Sequence, residues 1–271
     1  MLTKYLQQIQ AGKPIHYQKF LQLLPPGFYQ RRAELFKVKA TGAGKWLLTI
    51  QDPILFAALC KSAESPANRL DASLQGNSHR QRTSFSYLLV YHEACQSQRP
   101  DVILSQSGRD GQADVSQGFV AKPQVLLIEN EENFFQYHAM LTVATQLMAE
   151  SFTLQNTDVI FAAGSKVGAA LLQPVLANYQ RILCAFDYDA AGLETFDMLH
   201  KRWPDQVQFM APPDLSPWLS RFLCKPKHPA QLQKAIQLAE LHRLFGLVDA
   251  FSRTERFLEQ EVLLTATAMT V

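Results

Sequence analysis

The chain has 271 residues, 47% of them hydrophobic, which is enough to bury the core of one large domain or two modest ones. It contains no apolar run of about eighteen residues and no apolar N-terminal segment of the secretory type, which argues against a membrane-spanning or exported protein. Its four cysteines lack C-x-x-C spacing, which argues against a zinc site or a disulfide framework. We therefore expect a cytoplasmic protein with reduced thiols and no membrane association.

The charge is distributed unevenly along the chain. Residues 1–118 carry 14 Lys and Arg against 8 Asp and Glu, whereas residues 119–271 carry 12 against 16. A basic region followed by an acidic one is typical of a polyanion-binding part joined to a part rich in carboxylates. We therefore predict two regions, 1–118 and 119–271, with DNA contacts in the first.

The first region has a mixed pattern. Short helical patterns at 5–10 and 17–24 precede two predicted strands within 34–51, which flank a Gly-rich turn. Helices followed by a two-stranded wing are typical of a winged-helix DNA-binding unit, and a generic α+β subdomain fits equally well. Arg80 and Arg82 lie in a polar turn and either contact phosphates or belong to a solvated loop. The polar segment 105–118 is predicted to link the two regions.

The second region alternates buried strands with helices. Strands are predicted at 123–129, 157–164, 181–186 and 206–210, and helices at 130–150, at 165–179 with a kink at Pro174, and at 190–203. Two further helices are predicted within 231–264. Apolar strands separated by helices indicate the α/β class, here a Rossmann-like parallel sheet of βαβαβαβ type.

Carboxylates follow two of the predicted strands. Glu129 ends the first strand, and Asp187 and Asp189 follow the third. The carboxyl ends of parallel strands lie at one edge of the sheet, and residues i and i+2 of an extended segment point the same way. Three carboxylates packed together repel one another unless a cation neutralises them, and oxygen ligands favour Mg²⁺ or Mn²⁺. These acids are therefore predicted to bind a divalent metal that acts on phosphate esters.

Two glycine-containing turns accompany the acids. Gly192 begins the helix after Asp189, where the missing side chain permits a close approach of backbone, metal or substrate. Gly164, Ser165 and Lys166 follow the second predicted strand, where they either bind a phosphate or simply form a tight turn. The two interpretations have equal weight for these three residues.

The order of these parts resembles the Toprim family, which includes topoisomerases, primases and several nucleases. The resemblance covers residues 122–212 and depends on Glu129 in VLLIENEENF, Gly164 in FAAGSKVG, and Asp187, Asp189 and Gly192 in FDYDAAG. It implies that the three acids are catalytic and bind Mg²⁺ or Mn²⁺. It also implies that the glutamate takes part in proton transfer.

A narrower resemblance concerns the whole arrangement. A basic N-terminal region before a Toprim domain resembles the topoisomerase VI A-subunit branch, and IENEENF with the tail RFLEQE (256–261) is similar to the nuclease subunits of Wadjet (JetD/MksG) anti-plasmid systems. This implies double-stranded DNA, such as a plasmid, as substrate and an SMC-like ATPase complex as partner, with a homodimer left open. It also makes Glu259 and Glu261 candidate ligands of a second metal, although a solvated helix face is the preferred interpretation.

Three functions follow from this pattern. The leading hypothesis is a metal-dependent DNA endonuclease that serves anti-plasmid defence. The second is a topoisomerase VI A-like transesterase with Tyr17 or Tyr29 as nucleophile, although both also fit ordinary half-buried tyrosines. The third is a non-catalytic DNA-binding or assembly subunit with a Toprim core. The complete set of three acids favours the endonuclease.

Overall fold

The structure is a computed structural model that describes residues 2–42, 44–64, 72–73, 83–95, 99–108, 112–212 and 214–265. The chain forms two compact units, Met1–Thr83 and Ser84–Val271. The boundary lies at 83/84 rather than at the predicted 118/119. With this division the first unit carries 12 Lys and Arg against 4 Asp and Glu, and the second carries 14 against 20. The charge asymmetry between the two parts is therefore stronger than the sequence division indicated.

In the part of the first unit that the structure describes, short helices combine with a small antiparallel sheet. Its elements in chain order are α1 (Leu2–Gln10), β1 (Ile15–His16), α2 (Tyr17–Leu21), α3 (Pro26–Gln30), α4 (Arg32–Leu35), β2 (Phe36–Gly42), β3 (Lys45–Ile50) and α5 (Pro53–Ala63). The strand order is β1-β3-β2, and β2 and β3 form the predicted hairpin.

Local chemistry explains where α5 begins. The Asp52 side chain accepts a hydrogen bond from the Leu55 backbone N–H at 2.8 Å, and Pro53 occupies the first turn, where no N–H is needed. The helix buries Phe56 and Leu59 in a core built from apolar side chains of α1, α2, α4 and the sheet. The first unit therefore has a hydrophobic core of its own.

The second unit contains a seven-stranded mixed sheet with the order β10-β9-β7-β8-β4-β5-β6. Its strands are β4 (Phe85–Tyr91), β5 (Asp101–Ser107), β6 (Ala113–Ser116), β7 (Gln124–Ile128), β8 (Thr157–Phe161), β9 (Arg181–Ala185) and β10 (Val207–Phe209). The pairs β10–β9, β9–β7 and β7–β8 are parallel, as predicted. The sequence did not predict that β4, β5 and β6 extend this sheet in antiparallel pairing.

Along the chain, the helices of the second unit lie between or after the strands of the parallel half of the sheet. They are α6 (Glu131–Phe135), α7 (Tyr137–Met148), α8 (Gln173–Ala177), α9 (Ala190–His200), α10 (Pro229–Leu241), α11 (Phe245–Thr254) and α12 (Glu261–Leu264). All five residues of β7 except the first are buried, because parallel strands are covered on both faces. Within the described residues, no helix is both long and apolar enough to cross a membrane.

Two local predictions are wrong. The predicted linker 105–118 contains the end of β5 and all of β6, since polar residues of an edge strand show little apolar periodicity. The predicted helix 165–179 is instead two short 3₁₀ turns, Gly164–Gly168 and Ala170–Leu172, followed by α8. Pro174 lies in the first turn of α8, so it begins a helix and does not kink one.

Candidate metal centre

The three predicted acids lie where the strand order of the sheet reverses. The chain runs from β7 outward to β8 and then returns to β9 on the other side of β7. In open α/β sheets, this reversal leaves a crevice beyond the carboxyl ends of the two central strands, and ligands bind there. Glu129 follows β7, and its backbone N–H donates to the Ala185 carbonyl at the end of β9, at 3.2 Å. Asp187 lies two residues after Ala185, so the topology brings Glu129 and Asp187 to this crevice.

Burial and mutual repulsion change the titration of two acids. Burial, together with the charge of Asp187, raises the pKa of Glu129 from 4.5 to about 7, although a hydrogen bond from the Asp187 backbone lowers it in part. Burial also raises the pKa of Asp187 from 3.8 to about 6, against the lowering effect of the Gln260 backbone N–H. The charge of Asp189 raises both pKa values. The carboxylates of Asp187 and Asp189 therefore lie close enough to Glu129 for their charges to raise its pKa.

The residue between the two aspartates explains their common direction. Tyr188 is fully buried, and its hydroxyl donates to the Met210 carbonyl at 2.9 Å. Because side chains alternate along an extended segment, Asp187 and Asp189 both turn away from this core residue, and both line the same cleft. Asp189 also caps α9, since its Oδ1 accepts from the Gly192 N–H at 2.8 Å. One of its oxygens is thus held in place by the helix.

Gly192 is required by the backbone of the aspartate segment. A Cβ built on Gly192 would lie 2.3 Å from the Asp187 carbonyl oxygen and 3.1 Å from its nitrogen. The missing side chain of Gly192 therefore permits a close approach of backbone, which is one of the three approaches predicted for this residue. The start of α9 sits directly against the segment that presents the acids.

The other predicted turn has a different outcome for each residue. Gly164 has φ +61°, and a Cβ on it would lie 3.7 Å from Glu129 Oε1, so this turn borders the acid cluster. Ser165 is exposed. Lys166 places its Nζ 3.5 Å from the centre of the Tyr87 ring, so it makes a cation–π contact with β4. Arg80 and Arg82 lie outside the described residues.

The C-terminal segment also contributes to the site through backbone pairing, which was not predicted, although Glu259 and Glu261 of this segment were candidate ligands of a second metal. Leu258 forms an antiparallel bridge with Tyr188, and Phe257 forms one with Cys224. The Gln260 backbone N–H then donates to Asp187 Oδ1 at 2.8 Å. The Gln260 side chain is fully buried and accepts from Asn133 Nδ2 at 3.3 Å. The only sequence signal was the run RFLEQE, whose pairing partner cannot be identified locally.

Glu259 and Glu261 of this segment were predicted to lie on a solvated helix face, and this prediction is wrong for Glu261. Glu261 does not lie on a solvated helix face, because its Oε1 accepts from the Asn130 side chain and its Oε2 is buried. Glu259 is exposed and lines a cleft of about 310 Å³ together with Asp187 and Asp189. The charges of both glutamates raise the pKa of Asp187. The acid cluster therefore contains five carboxyl groups.

The chemistry of the cluster fits a hard divalent cation. Within the described part of the chain, Glu129 Oε2 and Glu261 Oε2 are buried without a hydrogen-bond partner, which is costly for carboxylates. All candidate ligands are oxygens, which suit Mg²⁺ or Mn²⁺ better than zinc. Glu129, Asp187 and Asp189 are the candidate ligands by chemistry, but among the described residues only His92, Cys95 and Asp101 place three potential ligand atoms within 4.8 Å of one another.

A second group of potential ligands is less suited to a metal. His92 Nε2 lies 2.7 Å from Asp101 Oδ2, and Cys95 is close to both. The Ala94 backbone N–H donates to His92 Nδ1 at 3.3 Å, which requires the lone pair on that nitrogen. The neutral ring then carries its proton on Nε2 and donates it to Asp101, so Nε2 has no lone pair for a metal. This group serves as a hydrogen-bonded contact within the second unit.

Comparison with known proteins returned no matching family model, curated protein or solved structure. The Toprim resemblance stays a prediction from the motifs given above.

The acid cluster predicts an unusual pH dependence of stability. Because folding raises the pKa values of Glu129 and Asp187, the folded protein binds more protons than the unfolded chain between about pH 4 and pH 7. The free energy of unfolding contributed by these groups therefore falls as the pH rises through this window. Without metal, we expect Glu129→Gln to be more stable than wild type at pH 8 by about 1–2 kcal/mol, with a smaller difference at pH 5.

Urea unfolding in EDTA at both pH values measures this difference. Glu150→Gln is the matched control, because Arg181 lowers the pKa of Glu150 and its removal does not stabilise the protein. Added Mn²⁺ should reduce the advantage of Glu129→Gln, since the cation neutralises the wild-type cluster. An advantage of equal size at pH 5 and pH 8 would contradict the titration described here.

Proposed function

We propose that this protein is a Mg²⁺- or Mn²⁺-dependent DNA endonuclease of the Toprim type. The observation that carries the proposal is that Glu129 and Asp187 follow the two strands at the switch point of the sheet, and that burial and the charges of Asp187 and Asp189 raise the pKa of Glu129 to about 7. A bound cation would relieve the repulsion that otherwise favours the protonated forms of Glu129 and Asp187. Along the chain, β7 precedes Glu129, β8 precedes the Gly164 turn and β9 precedes the two aspartates. This is also the order of the motifs on which the Toprim resemblance depends.

The residues have distinct roles in this proposal. A divalent ion held by the acids would supply Lewis-acid polarisation of a phosphodiester. Asp187 and Asp189 hold their carboxylates in fixed positions, because Gln260 and the start of α9 donate hydrogen bonds to them. Glu129, with a pKa of about 7 before any cation binds, is the acid best suited to exchange a proton with water near neutral pH.

The first unit supports a DNA substrate. Its element order, helices followed by the β2–β3 hairpin, agrees with a winged-helix unit, and its basic excess suits a polyanion. Lys37 and Lys39 on β2 and Lys45 at the start of β3 are exposed, and no ion pair involves them among the described residues. We propose that these lysines contact the phosphates of double-stranded DNA, which makes binding salt-dependent and largely independent of sequence.

The place of this nuclease in a larger system is a further part of the proposal. A role in anti-plasmid defence beside an SMC-like ATPase complex depends on the resemblance of the motifs alone.

For the transesterase alternative, burial raises the pKa of Tyr17, which makes its phenolate less available. Tyr29 is partly exposed and stacks with Arg32, whose guanidinium lies 4.6 Å from the ring centre. Hydrolysis is the proposed chemistry because it requires only the acids that follow the strands of the second unit and no activated tyrosine.

The test of the proposal is cleavage of supercoiled plasmid by the purified full chain with Mg²⁺ or Mn²⁺, beside a sample with excess EDTA. We expect nicked or linear products with free ends in the presence of the ion, and at least a hundredfold slower cleavage when the ion is removed. A protein covalently attached to the DNA would instead support the tyrosine mechanism. Equal product formation in EDTA would contradict the proposal.

A further inference from the structure

A short connector lies beside the acid cluster and is fixed in position. It comprises residues 222–228, between the 3₁₀ helix Ser216–Arg221 and α10. Cys224 exchanges two backbone hydrogen bonds with Phe257, at 3.1 and 2.8 Å. The Arg256 guanidinium donates to the Leu223 carbonyl at 3.1 Å. The connector is therefore attached to the same C-terminal segment that donates to Asp187.

The connector brings two lysines to the acids without pairing them. Lys225 and Lys227 line the cleft of about 310 Å³ that also contains Asp187, Asp189 and Glu259. Among the described residues neither lysine forms an ion pair, although three carboxylates share its cleft. Other lysines of this unit do pair, as Lys201 does with Asp197 and Lys234 with Glu194. The carboxylates of the cleft are therefore available to bind a cation, and its two ammonium groups are available to bind an anion.

The basic side of the cleft continues beyond the acids. Lys225 also lines a neighbouring groove of about 420 Å³, together with Glu255 and Arg256, with Pro226 of the connector and with Pro229 at the start of α10. The shared lysine makes the two spaces adjacent. Each of the two volumes is large enough for a small ligand of about the size of one nucleotide. The two adjacent spaces therefore offer a path of about two nucleotides that begins at Asp187 and Asp189.

We propose that Lys225 and Lys227 bind phosphates next to the one positioned at the acids, and that the cut strand runs single-file from the acid cleft into the groove beside Arg256. This inference depends on the proposed function for the identity of the acid site. It adds to that function a path for the cut strand of the DNA and a direction of approach over the connector. The ammonium groups offset the repulsion between carboxylates and phosphates, which otherwise opposes strand entry.

Binding of a short fluorescein-labelled single-stranded oligonucleotide tests the path. Fluorescence anisotropy of the full chain in EDTA, over a series of KCl concentrations, requires no cleavage. For Lys225→Ala/Lys227→Ala we expect on the order of tenfold weaker binding, and a slope of log affinity against log salt smaller by about 1 for each lysine. The double variant Lys225→Arg/Lys227→Arg should retain the wild-type slope, because it keeps both charges.

The matched control is Lys201→Ala/Lys234→Ala, which removes two lysines of the same unit that already have acidic partners. Thermal unfolding confirms that each variant is folded, and both connector lysines are exposed. A connector variant that binds as tightly as this control would overturn the inference, as would a loss seen with a blunt duplex but not with the single strand. If the lysines matter but no cleavage occurs with Mn²⁺, the proposed hydrolysis fails while the strand path stands.

Discussion

Asp187→Asn is expected to lower the rate of metal-dependent plasmid cleavage by about a thousandfold or more. The substitution keeps the size of the side chain and an oxygen that can accept from the Gln260 N–H. It removes the negative charge that the site offers to a divalent ion, which is the electrostatic contribution on which this chemistry depends. Initial nicking rates at saturating Mn²⁺ measure the effect, and calorimetric titration with Mn²⁺ measures the accompanying loss of affinity.

The control for this prediction is Asp197→Asn on α9. Asp197 pairs with Lys201 and accepts from His242 at 3.0 Å, so it belongs to a separate cluster of charges. Its substitution should leave cleavage within about threefold of wild type, provided that the protein is folded at the assay temperature. If Asp187→Asn cuts plasmid as fast as Asp197→Asn, the acid cluster is not the catalytic site.

Gly192→Ala is the second substitution with a large expected effect. The new methyl group would meet the Asp187 carbonyl oxygen at 2.3 Å, and this neighbour is backbone, which cannot rotate away. The start of α9 must therefore move away from the aspartate segment, at a cost of about 1–3 kcal/mol in the free energy of unfolding. Asp189 moves with the helix that it caps, so we also expect at least tenfold weaker Mn²⁺ binding.

Gly118→Ala provides the comparison, because a Cβ at that position meets no atom within 4 Å. Urea unfolding and Mn²⁺ titration of the two variants separate the packing effect from a general effect of replacing glycine. The geometry described for α9 would be refuted if Gly192→Ala matched Gly118→Ala in both stability and metal affinity.

Several features of the second unit were predictable because they leave a local pattern. Parallel strands that are buried on both faces appear as continuous apolar runs, which is why β7, β8, β9 and β10 were predicted in the correct order. The carboxyl ends of such strands share one edge, so Glu129, Asp187 and Asp189 were expected to lie together. The charges of Asp187 and Asp189 do raise the pKa of Glu129, whereas the joint metal binding and the catalytic role of the three acids stay predictions.

Other features have weak or misleading local patterns. The 105–118 segment was taken for a linker because its polar residues hide β6, whose only pairing partner in the described sheet is β5. The predicted helix at 165–179 is interrupted at Ala169, whose φ of −58° and ψ of 141° are not helical, and a new helix begins only at Gln173. In both places, tertiary hydrogen bonding or backbone geometry outweighed the local preference.

The sequence by itself determined the α/β alternation of the second region, the three acids at the strand ends and the contrast between a basic and an acidic part. Only the tertiary structure decided that residues 84–118 extend the large sheet and that the C-terminal segment closes the acid site. The Gln260 N–H reaches Asp187 across a separation of 73 residues. Contacts of this kind depend on chain segments that are distant in sequence, and they leave no periodic pattern in either segment.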